Sequence, residues 1–147
     1  MLSRNLAQLL ESKDLKAKSD HEAIRKMLDA LAGDPRVNDL DKLAAAVFER
    51  QATDPPLFTG GIAFPHARCD SVSGLVLVLA VCKESISFGD MSVRLIFLIG
   101  VPKHARAEYL EIISFLARHV RGEGTIDRLV EATSLAAFLE AFAERNG

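Results

Sequence analysis

Two short segments of the chain are apolar at every position: Leu75–Cys82, reading LVLVLAVC, and Leu95–Ile99, reading LIFLI. A strand with one face in water alternates apolar and polar residues, so uninterrupted runs of this kind belong to strands covered on both faces. Both are far shorter than the ~20 residues of a membrane-crossing helix. Helices must therefore cover a sheet from two sides, and the sequence has candidates before and after the runs. Ser19 followed by Glu22 has the spacing of a capping box. It opens a helix with Ala23, Ile24, Met27, Leu28 and Leu31 on one face, which Gly33 ends and Pro35 keeps from resuming. A second helix is expected from about Asp39 to Arg50, with Leu40, Leu43, Ala44 and Val47 inward. Ser87-Phe88-Gly89-Asp90 reads as a turn between the two apolar strands. Beyond them, Ala107–Val120 places Leu110, Ile113, Ala117 and Val120 on one helical stripe and Tyr109, Ile112 and Leu116 on its neighbour. Thr125–Ala132 reads as a short helix, and Leu135, Phe138, Leu139 and Phe142 mark a last one. The expected fold is α/β: residues 1–147 as a single domain, with a mixed central sheet flanked by helices on both faces.

Composition excludes several functions. A formal net charge of −2 over 147 residues supplies no field for holding nucleic acid or an anionic membrane. Two cysteines, Cys69 and Cys82, make neither a disulfide framework nor a metal cluster and fit a reducing, cytoplasmic setting. The start, MLSRNLAQLLESKDLKAKSD, is too polar for a signal peptide. There is no P-loop, Rossmann glycine pattern, metal-ligand pair or nucleophile elbow. No nucleotide, metal or other cofactor is expected.

The chemistry is concentrated in Thr59–Arg68, TGGIAFPHAR, which follows a loop rich in Pro and Gly. Glycines let backbone approach a ligand closely, and Pro65 restricts the backbone just ahead of His66. An imidazole is an uncharged nucleophile near neutral pH and can carry a phosphoryl group. Arg68 is placed to pair with phosphoryl oxygens or with acidic groups of a partner. Other candidates read as ordinary. His21 and His104 read as surface residues, His119 as a helix C-terminal histidine favoured by the dipole, Glu108 and Glu111 as a solvated face, and Cys69 and Cys82 as packing residues.

Gly61-Ile62-Ala63-Phe64-Pro65-His66 matches position by position the Gly-Ile-Ala-(apolar)-Pro-His signature of the phosphotransferase-system IIA domains of the fructose, mannitol and nitrogen-regulatory type. The chain resembles this type-2 IIA family from about Asp20 to Phe142. The Ile86-Ser87-Phe88-Gly89 turn, the strand after it and the helix YLEIISFLARHV fall in the family's order. The resemblance implies the mannitol-specific IIA-like fold and a phosphohistidine intermediate on His66. Arg50, sixteen residues upstream, stands where the family has an arginine at the end of the preceding helix. It implies that Arg50, Arg68 and Thr59 bind the phosphoryl group and that Leu57, Phe58 and Phe64 belong to the partner surface. The implied partners are a histidine phosphocarrier protein as donor, and a IIB component or a regulated protein as acceptor.

The sequence departs from the family at three places. Tyr109 stands where a second active-site histidine is expected, and its hydroxyl does not titrate near neutrality. The loop Pro56-Leu57-Phe58-Thr59-Gly60 lacks the usual glycine pattern, and Gly89–Val93 is short. These departures frame the rival reading, a degenerate regulatory module that binds a partner without phosphoryl transfer.

Overall fold

The Leu75–Cys82 run lies in a strand whose successive side chains enter two different cores. In the computed structural model of the chain, which describes residues 6–11, 15–53, 57–58, 61–119, 127–128 and 130, that strand is Val76–Phe88. For 6–11, 57–58, 116–117 and 119 only the backbone is described. In chain order the elements are β1 (Leu6–Glu11), α1 (Asp20–Asp29), α2 (Leu40–Thr53), β2 (Leu57–Phe58), β3 (Ile62–Ala63), β4 (His66–Arg68), β5 (Val76–Phe88), β6 (Met91–Val101) and α3 (Arg106–His119).

Val76, Val78, Ala80 and Cys82 of β5 pack on one face of the sheet with Ala23, Ile24, Met27 and Leu28 of α1 and Leu43, Ala44 and Val47 of α2. Leu77, Leu79 and Val81 point the other way, to Leu95, Phe97 and Ile99 of β6 and Ile112 of α3. The absence of alternation in the sequence thus records burial on both faces. Past Cys82 the register shifts between Val81 and Ile86, and Lys83, Glu84 and Ser85 are exposed. That irregularity explains why the strand outlasts the apolar run. The β5–β6 hairpin closes at Gly89-Asp90, where Gly89 takes φ 62 in the first central position, a conformation that favours glycine.

The sheet is mixed, in the order β1-β5-β6-β3-β2, with β4 also on β6. β1 runs parallel to β5, β5 antiparallel to β6, and β3 and β4 parallel to β6. β3 and β4 share one edge of β6, Ile62 opposite Leu95 and His66 opposite Ile99. Pro65 sits between them and accepts a bond through its carbonyl from Ile99 N at 2.9 Å. The fold class matches the expectation, with differences in its elements. A strand, β1, precedes the first helix, and β2 lies within what reads as loop. Neither carries a period-2 pattern long enough to betray it. Ser19 caps α1, its Oγ accepting from Glu22 N at 3.2 Å, while Glu22 turns back to Lys18 N rather than to the cap residue. The α1 helix ends at Asp29, so Leu31 is buried from the following turn instead of from the helix. In α3 the inward stripe is that of Tyr109 and Ile112, the latter 2% exposed, whereas Leu110 is 48% exposed. The side chains of Leu116 and Ala117, and Val120 altogether, lie outside the described residues, as do Leu135, Phe138, Leu139 and Phe142. Of Thr125–Ala132, Asp127, Arg128 and Val130 are described as helical. No helix among the described residues is long and apolar enough to cross a membrane.

Candidate active site

Beyond β4 the described sheet has no further strand, and helices from its two opposite faces meet there. α2, from one side, brings Ala46, Glu49, Arg50 and Thr53. α3, from the other, brings Arg106, Tyr109 and Leu110. With His66, Ala67 and Arg68 of β4 and Val101 of β6 they line a cleft of about 710 Å³. Along β4, Ala67 forms part of the cleft floor, buried among the α2 core residues, while His66 is half-buried and Arg68 is exposed. Gly100, paired with both Ala67 and Val76, keeps this corner tight, because a Cβ there would sit 2.8 Å from Val76 Cγ2.

Two hydrogen bonds fix the imidazole of His66. Its Nδ1 lies 3.0 Å from the Phe64 carbonyl oxygen. Its Nε2 lies 3.1 Å from the Tyr109 hydroxyl. A carbonyl only accepts, so in the neutral ring Nδ1 carries the proton and donates to Phe64. Nε2 then holds the lone pair and accepts from the Tyr109 O–H. The Phe64 ring stacks on the imidazole at 5.9 Å with 4° between planes, and the Tyr109 ring is tilted by 33° at 4.9 Å. The His66 pKa is lowered from its ordinary value, chiefly by burial and further by the Arg50 charge, against a raising contribution from the Phe64 carbonyl. The Tyr109 pKa is raised by burial, with Arg50 pulling the other way. The resting site is thus a neutral imidazole whose nucleophilic lone pair on Nε2 accepts a hydrogen bond from a neutral hydroxyl.

The structure brings His66, Arg50, Arg68 and Tyr109 to one cleft and places Phe64, alone of the other described site side chains, outside its lining. Phe64 is only 9% exposed and packs in the α3-side core, so it underlies the imidazole instead of offering a docking surface. This corrects the partner-surface assignment: alternation along β3 and its continuation turns Phe64 inward with Ile62. The side chains of Leu57 and Phe58 lie outside the described residues, as does Thr59. The group orienting the ring is a backbone carbonyl and not a carboxylate, which no side-chain pattern announces. Arg106, also on the cleft wall, was missed because a helix-start arginine reads as solvated surface. His104 is exposed in the turn before α3 and does not line the cleft. His21 stacks on Phe48 at 4.2 Å. Cys69 is buried, its Sγ 2.9 Å from Ser71 Oγ, and burial pushes the Cys82 thiol up to about 11. Among the described residues no group of three or more His, Cys, Asp and Glu side chains is placed to hold a metal ion.

Comparison with known proteins identifies the fold and the family. The sequence profile of the phosphoenolpyruvate-dependent sugar phosphotransferase system EIIA 2 family matches residues 7–145. The fructose-specific EIIA component of Haloferax volcanii is 33% identical over 125 residues, 83% of this chain and 81% of the relative. The nitrogen regulatory protein IIA-Ntr of Neisseria meningitidis superimposes with a TM-score of 0.84 over 96% of this chain and 98% of its own, at 20% identity. The mannitol enzyme IIA of Escherichia coli, solved in complex with phosphorylated mannitol enzyme IIB, aligns with a TM-score of 0.78 over 94% of each chain at 26% identity. From the signature around His66, the mixed sheet with its two helical layers and the match along nearly the whole sequence, the chain belongs to the EIIA type-2 family of the phosphoenolpyruvate-dependent sugar phosphotransferase system.

Proposed function

We propose that the protein is a phosphohistidine carrier that takes a phosphoryl group on Nε2 of His66 from a histidine phosphocarrier protein. It passes the group to a IIB component or holds it as a regulatory signal. The observation that carries this reading is the Nδ1–Phe64 carbonyl bond, which directs the imidazole lone pair into a cleft lined by arginines. In the transfer, Nε2 attacks phosphorus in line with the donor's phosphorus–nitrogen bond. That bond breaks and its electron pair returns to the donor's imidazole. The new bond forms at Nε2 while the proton stays on Nδ1, held by Phe64. No proton has to move and no metal is required for the balance.

Phosphorylation fills the lone pair that Tyr109 occupies at rest, so its hydroxyl must leave Nε2 and donate to a phosphoryl oxygen instead. Arg50 and Arg68 offset the phosphoryl charge from two sides, with Thr59 as a further donor. The cleft is larger than a phosphoryl group needs, and its remaining width takes the donor imidazole. Leu110, exposed on its rim, supplies an apolar contact for a transient partner, to which the family resemblance adds Leu57 and Phe58. The IIB partner is supported by the Escherichia coli relative, which was solved with its IIB enzyme. Operation in the cytoplasm follows from this role.

Labelled phosphate from phosphoenolpyruvate, delivered through the general enzyme and histidine carrier of the source organism, tests the proposal. The wild type is expected to take up an acid-labile, alkali-stable label, and His66→Ala none. Absence of label from the wild type, with the donors active on a control IIA domain, would leave the non-catalytic binding module as the better account.

A further inference from the structure

A phosphoryl group on Nε2 is an anion placed between two helices, and the two helices meet it unequally. α2 offers Arg50 from its last turn. α3 offers Tyr109, whose hydroxyl donates one hydrogen bond but carries no charge near neutral pH. One turn earlier on the same helix, Arg106 lines the same cleft. Its position is a poor one for helix stability, because a cation in the first turn opposes the helix dipole. Nor does a structural contact explain it: among the described residues, Arg106 is exposed and makes no hydrogen bond or ion pair. A local rule broken without a local gain is a sign of a functional position.

We infer that Arg106 is a phosphoryl-binding residue of this site, supplying from α3 the positive charge that Tyr109 cannot carry. The division of labour follows from spacing: Tyr109 lies over the nucleophilic nitrogen and donates a directed hydrogen bond. Arg106, three residues before it and with a longer reach, pairs with the outer phosphoryl oxygens as a two-pronged donor. The inference rests on the phosphocarrier reading and adds to it a residue and a charge balance.

The test is the rate of phosphoryl uptake from the phosphorylated histidine carrier in the wild type, Arg106→Ala, Arg106→Gln, Arg106→Lys and the double variant Arg106→Ala with Tyr109→His. Loss of the charge is expected to slow uptake roughly tenfold or more, less than the ~10²–10³ measured for buried oxyanion donors because Arg106 is exposed. Gln is expected to be as slow as Ala, and Lys, which restores the charge without the two-pronged geometry, to recover part of the rate. The double variant places a titratable cation on α3. It is expected to take up label faster than Arg106→Ala below pH ~6.5, where the introduced imidazole is charged. The charged groups facing that position are Glu49 and Arg50 from α2 and His66 and Arg68 from β4. An Arg106→Ala rate within twofold of wild type, or a double variant no faster than Arg106→Ala below that pH, would overturn the inference alone. A wild type that takes up no label overturns the phosphocarrier reading and this inference with it.

Discussion

At the scale of single residues, the site turns on one imidazole and the atoms on either side of it. The sequence shows His66 after Pro65 and, through its family resemblance, places Tyr109 opposite. The 3.1 Å contact between Tyr109 and Nε2 fits that placement. The choice of nitrogen was not legible, because it depends on the Phe64 carbonyl, and every residue has a carbonyl. Arg106 was hidden for a related reason: its meaning lies in which cleft α3 faces. Burial and Arg50 both lower the His66 pKa. An NMR titration of the His66 ring is therefore expected to give a midpoint below the ~6.5 of an unperturbed histidine, and Arg50→Ala is expected to move it upward. An upward shift in the wild type would contradict the neutral resting ring. The same depression has a stability consequence. Below ~6.5 the unfolded chain takes up a proton that the folded ring resists, so this contribution to stability is lost as pH falls. His66→Gln should flatten the pH dependence of the unfolding midpoint between pH ~7 and ~5.

At the scale of elements, strands covered on both faces were the easiest to read and short edge strands the hardest. LVLVLAVC and LIFLI announce β5 and β6, yet each strand extends beyond its apolar run, through exposed Lys83–Ser85 in one case and from Met91 in the other. Two-residue β2 exists only through its pairing with β3, Leu57 opposite Ala63 and Phe58 opposite Ile62, and has no local pattern to find. In α3 the neighbouring stripes were both apolar, and only tertiary packing decided that Tyr109 and Ile112 turn inward while Leu110 stays at the cleft rim. Gly61 shows how an element boundary serves the site. It adopts φ +93, and a Cβ there would lie 2.8 Å from the Ser92 carbonyl oxygen, while its own carbonyl accepts from Arg94 N at 2.9 Å. Gly61→Ala is expected to cost about 1–3 kcal/mol in denaturant unfolding, from backbone strain and the clash together. Because Gly61 leads directly into β3 and the His66 segment, phosphoryl uptake should fall with it. An unchanged unfolding midpoint would show that the loop relaxes freely.

At the scale of the molecule, the fold acts as a frame that brings the ends of two helices from opposite faces of a sheet to one edge strand. The overall charge of −2 gives no hint of a local concentration of positive charge, since it averages over a surface on which Arg50, Arg68 and Arg106 share one cleft with, among the described residues, a single facing acid, Glu49. The general plan, helices on both faces of a mixed sheet, was legible from the two apolar runs alone. The strand order was not, because β1 joins β5 from the far end of the chain and β3 and β4 divide one edge of β6 between them. The central claim, that this frame presents Nε2 of His66 as the phosphoryl acceptor, is tested most directly by nitrogen and phosphorus NMR on the ¹⁵N-labelled protein after phosphorylation by its histidine carrier. A single phosphorus resonance coupled to Nε2 of His66, with Nδ1 still protonated, is the predicted result. A phosphoryl group on Nδ1, on another residue, or on none would contradict it.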